Sequence, residues 1–273
     1  MDSKSDFLLN DKVIIVTGGT GVLGEAFING IAAAGGTVGI MGRNEKIASE
    51  RVASVIRQGG KAIALIADVT DEVQLKASRE KMLNEFGRID GLVNAAGGNM
   101  PGAVIAPDKN IFQLDLDALK QVMDLNLFGT ILPTQIFGEA IAAQKKGSIV
   151  NISSMASQRV ITKVLGYSMA KTAIDCYTKW FAVELGKRYG DKIRMNAIAP
   201  GFFLTEQNRT MLTNGNGTMT ERGDLVIKNT PFNRFGNPDE LIGTLVWLLS
   251  DASKFVTGSV VNVDGGFSIF SGV

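Results

Sequence analysis

The chain has 273 residues, 45% hydrophobic and 20% charged, with a formal net charge of +1; this is an ordinary globular composition, which excludes a disordered class, and no apolar run reaches the length of a membrane span. No basic cluster is longer than Lys145-Lys146, so there is no electrostatic footprint for nucleic acid. Histidine is absent and cysteine occurs once, at Cys176, which excludes a Ser-His-Asp triad, a Cys-His pair, a histidine-ligated zinc, a cysteine metal cluster and an internal disulfide.

The first twelve residues, MDSKSDFLLNDK, are polar apart from Phe7, Leu8 and Leu9 and lack the apolar stretch and cleavage site of a signal peptide, so the protein is expected in the cytoplasm. Apolar runs then follow at 12–18, 36–42, 61–68, 90–97, 147–153, 192–201 and 258–266. They are apolar throughout rather than alternating, as strands buried on both faces are, and helix-length spacers separate them. Together they predict an α/β fold, a Rossmann-like doubly wound parallel sheet of about seven strands with helices on both faces. No repeat, low-complexity tract or Pro-rich linker interrupts the chain, so residues 1–273 are expected to form a single domain. Residues 202–230 break the rhythm, with a turn signal in NGNG at 214–217. Connections of that length are uncommon without a function, and this one is expected to cover a pocket. Cys176 falls in the same helical segment as Tyr167 and reads as a buried core thiol rather than a nucleophile.

After the first strand comes TGGTGVLG, Thr17 to Gly24. A glycine-rich turn that opens a helix lets backbone amides reach a pyrophosphate, and the absence of a following Gly-Lys-Ser/Thr favours a dinucleotide over a nucleoside triphosphate. The second strand ends at Arg43, where an acidic residue would otherwise meet the ribose hydroxyls. Arginine there suits a 2′-phosphate and leans the choice toward NADP over NAD, with a solvent-facing role as the alternative. Asp68, at the end of the third strand, either accepts from an adenine amino group or caps the next helix.

In GYSMAK, Tyr167 and Lys171 lie one helical turn apart, about 6 Å along the axis, so the ammonium lowers the cost of a phenolate. The same pair also occurs on ordinary solvated helices. With no histidine, however, proton transfer near neutrality falls to a tuned Tyr, Lys, Asp or Glu.

These pieces, in order, resemble the short-chain dehydrogenase/reductase family: TGGTGVLG at 17–24, NAAG at 94–97, Asn126 in DLNLFGT, Ser154 in NISS, Tyr167 and Lys171 in YSMAK, and PGFFLT at 200–205. The likeness covers nearly the whole chain. It departs at Val22, where the family has Gly or Ala and this chain places its glycine one position earlier, at Gly21. The resemblance implies that Tyr167 exchanges the proton with the carbonyl oxygen as hydride moves. Lowering its pKa from about 10 by about three units, worth about 4 kcal/mol, would fall to Lys171 and the nicotinamide charge. It further implies that Ser154 orients the substrate oxygen and that Asn126 holds a water relaying protons through Lys171. Gly18, Thr20, Gly21, Val22 and Leu23 would form the phosphate turn, with Asp68 and Val69 at the adenine. Asn94, Ala95 and Gly97 would line the cofactor, Pro200 and Gly201 would shape a turn, and Thr205 with the Phe203 backbone would hold the carboxamide. The cofactor implied is NADP or NAD.

Three stretches, GGNMPGA at 97–103, PGFFLTEQNR at 200–209 and the ending GGFSIFSGV, are similar to those of one branch of that family, the D-mannonate oxidoreductases of the short-chain type, also called fructuronate reductases. A sugar acid needs hydrogen-bond partners and a cation. Asn99, Ser154, Gln158, Arg159, Gln207, Asn208, Arg209 and Arg222 are the candidates, and Asn208 with Arg209 is the preferred pair because they closely follow Thr205. Phe202, Phe203 and Met211 leave open an apolar lid over another keto-sugar acid or a hydrophobic ketone, and a dinucleotide-binding sensor without turnover is the reading from a different class. The family further implies a homo-oligomer, a tetramer or dimer, built on helices at about 117–143 and 165–188, with Leu127, Phe128, Trp180 and Phe181 at the contact.

Overall fold

A computed structural model describes residues 5–106, 110–205 and 208–272. Seven parallel strands form one sheet: β1 (Val13–Thr17), β2 (Thr37–Gly42), β3 (Lys61–Ile66), β4 (Gly91–Asn94), β5 (Gly147–Ile152), β6 (Ile193–Pro200) and β7 (Val260–Val263), in the order β3-β2-β1-β4-β5-β6-β7. Each lies within one of the seven apolar runs. The five inner strands are buried nearly throughout, but β3 alternates and β7 is half-buried, because an edge strand lacks a second neighbour to shield it.

Nine α-helices occur among the described residues: α1 (Val22–Ala33), α2 (Glu45–Arg57), α3 (Glu72–Phe86), α4 (Leu116–Met123), α5 (Gly129–Ala143), α6 (Leu165–Tyr189), α7 (Arg209–Leu212), α8 (Glu221–Lys228) and α9 (Ile242–Leu249). Side chains of α1, α2 and α9, among them Phe27, Ile31, Val55 and Leu245, fill one face of the sheet. Those of α3, α5 and α6, among them Met82, Phe137, Ile141 and Leu185, fill the other. This is the doubly wound Rossmann-like fold. Strand order reverses between β1 and β4, and ligands of such sheets bind beyond the carboxyl ends of the strands at that point.

Two local features shape the region above the switch. The expected helix at 117–143 is broken by a π-turn over Asp124–Phe128 between α4 and α5. The segment after β6 is an irregular helical excursion: α7, a tight turn closed by Gly217 N–H to the Asn214 carbonyl at 2.9 Å, and α8 capped by the Thr220 hydroxyl. Cys176 corrects the sequence expectation, for it is exposed. Successive helical residues are about 100° apart, so with Asp175 buried, Cys176 turns outward. No described helix is long and apolar enough to cross a membrane.

Candidate active site

Above the carboxyl ends of β4, β5 and β6 lies a cavity of about 250 Å³. It is lined by Ser154, Tyr167, Lys171 and Asn99, and by Arg222 from the excursion. Ser154 follows β5 and caps the single turn Met155–Ser157 by accepting from the Ala156 N–H at 3.1 Å. Tyr167 and Lys171 stand on the first two turns of α6. The Tyr167 hydroxyl is hydrogen-bonded to Ser154, and the Lys171 ammonium sits 5.4 Å from the Tyr167 ring centre. Lys171 is 4% exposed and donates to the Ile152 carbonyl at 2.7 Å.

Burial pushes the Tyr167 phenol above its ordinary value near 10, with the Ser154 hydrogen bond opposing. Burial pushes Lys171 down to about 8, with the Asp175 carboxylate opposing. The sequence expectation drew the phenol down through Lys171 and the nicotinamide charge together; in the protein by itself the water lost when α6 is laid against β5 is the larger influence. In this state the phenol carries its proton at neutral pH and is set as an acid.

Asp175, which sequence reasoning missed, ties the site together. One of its carboxylate oxygens accepts from the Ser153 hydroxyl and the other from the Ser157 hydroxyl at 2.6 Å. Ser153 and Ser157 bracket Ser154, so one buried side chain on α6 fixes the nucleus of the site to the helix that carries Tyr167 and Lys171. The available signal was an acid four residues after Lys171, facing the serine-rich segment after β5. Asp175→Asn is expected to lower kcat about tenfold by replacing two charge-assisted hydrogen bonds with weaker ones. Because Asp175 favours the charged ammonium, the substitution also moves the Lys171 limb of the kcat–pH profile below its position near pH 8; an unmoved limb would remove this role.

Asn126 lies in the π-turn and is fully buried. Its amide donates to the carbonyls of Gly98 at 2.7 Å and Val122 at 2.8 Å, and its oxygen accepts from the Gly98 N–H at 3.0 Å. The side chain therefore anchors the loop after β4, and its backbone carbonyl, which accepts from the Thr130 hydroxyl at 2.8 Å, is the group left for a water. The loop passes so close that a Cβ at Gly97 would lie 2.6 Å from the Asn126 side-chain oxygen and 3.4 Å from the Lys171 nitrogen.

The dinucleotide end fits its expected ligand. Gly18 adopts φ +65°, and a Cβ there would lie 2.7 Å from the Ala95 carbonyl oxygen, so the turns after β1 and β4 meet at the switch point only because it is glycine. Gly21 is the N-cap of α1 and offers no side-chain cap, leaving the amides of Val22 and Leu23 at the helix start without acceptors among the described residues. Leu23, Ala95 and Gly97 line the cavity, as do Pro200, Gly201, Phe203 and Thr205. Thr20 and Arg43 border an open concavity beyond the turn. Arg43 is exposed and pairs with Asp68 at 3.4 Å. Burial works against the Asp68 charge, yet hydrogen bonds from Thr70 and the Arg43 guanidinium hold its carboxyl below the usual range. Asp71, not Asp68, caps α3.

Several of the expected contact residues also make bonds within the fold. Asn94 is buried beneath the site, donating at 2.8 Å to both Thr134 and Asn151, which pins β4 to β5 and α5. The Val69 side chain belongs to the core. The Phe203 ring is buried and its carbonyl accepts from the Asn208 amide at 2.8 Å. Asn208 also accepts from the Thr205 N–H at 2.8 Å, so although it lines the cavity its amide staples the excursion. Gln158 points away, in a reciprocal amide pair with Asn262 at 2.8 Å in both directions. Arg159 donates to the Phe270 carbonyl. Arg209 is exposed and does not line the cavity. Gln207 lies outside the described residues. Of the candidates for a sugar acid, Asn99, Ser154, Asn208 and Arg222 line the cavity. Both polar side-chain atoms of Asn99 are shielded from solvent without a partner among the described residues, and the side-chain contacts of Arg222 to described residues are long ones, 3.4 Å, to Thr162.

A short-chain dehydrogenase family model described as Enoyl-(Acyl carrier protein) reductase matches residues 21–268. The chain is 40% identical to the uncharacterized oxidoreductase UxuB of Bacillus subtilis, over 97% of this chain and 98% of that one. It matches a crystal structure with bound NAD from Haemophilus influenzae, provisionally described as a D-mannonate oxidoreductase, with TM-score 0.90 and 37% identity over 98% of this chain and 99% of that one. A gluconate 5-dehydrogenase from Burkholderia cenocepacia in complex with NADP and tartrate matches with TM-score 0.84 and 30% identity over 97% of this chain and 98% of that one. With the glycine turn at the switch point and Ser154, Tyr167 and Lys171 converging above it, the chain belongs to the short-chain dehydrogenase/reductase family and is an NAD(P)-dependent oxidoreductase acting on CH–OH groups.

Proposed function

We propose that the protein interconverts D-fructuronate and D-mannonate. The observation that carries this reading is the pair of polar groups that line one cavity with the catalytic tyrosine: the Arg222 guanidinium, held only loosely at 3.4 Å by Thr162 among the described residues, for a carboxylate, and the unpartnered Asn99 amide for a hydroxyl. A buried amide with nothing to bond costs free energy, and a ligand that satisfies it gains what an apolar ligand forfeits. The likeness to the Haemophilus protein supports the same substrate class.

A bound nicotinamide supplies or accepts the hydride. In reduction, Tyr167 gives its proton to the carbonyl oxygen while Ser154 donates a hydrogen bond to the same oxygen; in oxidation Tyr167 takes the proton back. Lys171 sets the charge beside the phenol, and the Asn126 carbonyl holds the water through which Lys171 is reprotonated. The excursion over 202–230 covers the cavity. Arg43, exposed beside Thr20, favours NADP modestly. We further infer a cytoplasmic homo-oligomer, dimer or tetramer, because Phe128 and Trp180 are 52% and 63% exposed on the expected contact helices. Leu127 is half-buried, and Phe181 stacks 5.1 Å from Tyr177.

The test follows nicotinamide absorbance with purified protein, D-fructuronate and either NADH or NADPH. Arg222→Met is expected to lower kcat/KM for fructuronate about a hundredfold, the loss of a charge-assisted pair, and to leave an uncharged ketone unaffected. Turnover of apolar ketones but not of fructuronate would instead favour the second reading, to which Phe202, Ile161, Val164 and Met211 on the cavity wall lend support. Nucleotide binding without turnover of any carbonyl would point to a sensor.

A further inference from the structure

The glycine turn is held from outside by a residue that its motif does not contain. Arg51 lies on α2, whose start faces the turn, and its side chain is 13% exposed. One guanidinium nitrogen donates to the carbonyl of Gly19 and, at 2.9 Å, to that of Gly21, while a second meets the Glu25 carboxylate on α1 at 3.1 Å. A trans peptide is planar, so a carbonyl held on one side presents the following N–H on the other. The N–H groups opposite these two carbonyls belong to Thr20 and Val22, and neither has an acceptor among the described residues.

We propose that Arg51 is a positioning residue for the dinucleotide: it turns the Gly19–Thr20 peptide so that the Thr20 amide faces the pyrophosphate, while the Gly21–Val22 peptide is already held by the Glu25 N–H, which donates to the Gly21 carbonyl at 3.0 Å, and Arg51 adds a second donor there. Glycine gives the Gly19–Thr20 peptide little conformational preference of its own. The first turn of α1 sets the Gly21–Val22 peptide, so the Gly19–Thr20 peptide is the one that depends on Arg51. A peptide turned the other way would set a carbonyl oxygen against a phosphate oxygen. Glu25 keeps the guanidinium in place and compensates its charge: burial works against the Arg51 charge and the Glu25 carboxylate supports it. The inference rests on the dinucleotide reading of the fold and is independent of the substrate.

The experiment is nucleotide binding without substrate, by fluorescence titration of NADH and NADPH against the unmodified protein, Arg51→Met and Arg51→Lys. Arg51→Met is expected to raise Kd for both dinucleotides about tenfold, with kcat at saturating nucleotide within about twofold. Arg51→Lys, which offers a point donor rather than a fork, is expected to recover part of the affinity. Unchanged Kd values with a lowered melting temperature would overturn the proposal and leave Arg51 a structural brace. A loss confined to NADPH would also overturn it, identifying a direct 2′-phosphate contact. Should Arg51→Met fail to fold, Arg51→Lys decides: a raised Kd for both nucleotides supports the proposal and an unchanged one ends it.

Discussion

Tyr167→Phe is expected to lower kcat in either direction by about a thousandfold, the middle of the range for removing a general acid, while the Kd for nucleotide stays within about twofold. The ring stays: it is half-buried with the Lys171 ammonium 5.4 Å from its centre, and phenylalanine keeps that contact. Only the hydroxyl is lost, and with it the hydrogen bond to Ser154 and the proton for the carbonyl oxygen. No histidine exists in the sequence to substitute. Burial holds the phenol above its ordinary value, so the acid form is fully present at pH 7, ketone reduction declines as pH rises toward its pKa, and alcohol oxidation gains over the same interval. Stopped-flow single turnovers read the chemical step directly. A variant that retains a tenth or more of the rate would remove Tyr167 from the proton transfer.

The strands and the Ser154, Tyr167 and Lys171 set were legible for different reasons. A strand covered on both faces has to be apolar along its length, and that pattern survives without any knowledge of its neighbours; it weakens only at β3 and β7, where one neighbour is missing. Tyr167 and Lys171 are local partners, one helical turn apart, so their spacing carries their geometry. What the sequence could not carry is which distant side chains converge. Arg209 and Arg222 read alike along the chain, and only the path of α7 and α8 brings Arg222 to the cavity wall and leaves Arg209 outside it. Asp175 and Cys176 are neighbours, yet one faces the serines and the other solvent. For Asn94, expected at the cofactor, and Asn126, expected to hold a relay water, the sequence could not show that their side-chain amides also close bonds inside the fold, while the Asn94 oxygen stays without a partner among the described residues. Arg51 was invisible because its acceptors are carbonyls, which any residue supplies.

Lys171→Met is expected to remove nearly all activity, about a hundredfold or more in kcat, and at neutral pH to make the protein more stable. Methionine fills the aliphatic path of the lysine, so packing is largely kept. The ammonium, by contrast, is held where burial disfavours charge, at a pKa of about 8 against the ordinary 10.5. Below about pH 8 the native and unfolded chains both hold the proton, and the native state bears the full cost of burying it. Between about 8 and 10.5 the unfolded chain binds more protons, so stability rises with pH, and above that interval both forms are neutral and the cost vanishes. That cost is about 3 kcal/mol for a shift of this size, and losing the hydrogen bond to the Ile152 carbonyl returns about 1 kcal/mol of it. A net gain of about 2 kcal/mol is therefore expected at pH 7, shrinking through pH 8–10.5, which thermal melts across that interval would read. A variant less stable than the parent at every pH would mean that Lys171 serves chiefly to brace β5 against α6. A variant that is inactive yet more stable would show a charge kept in an unfavourable place because the chemistry beside Tyr167 requires it there.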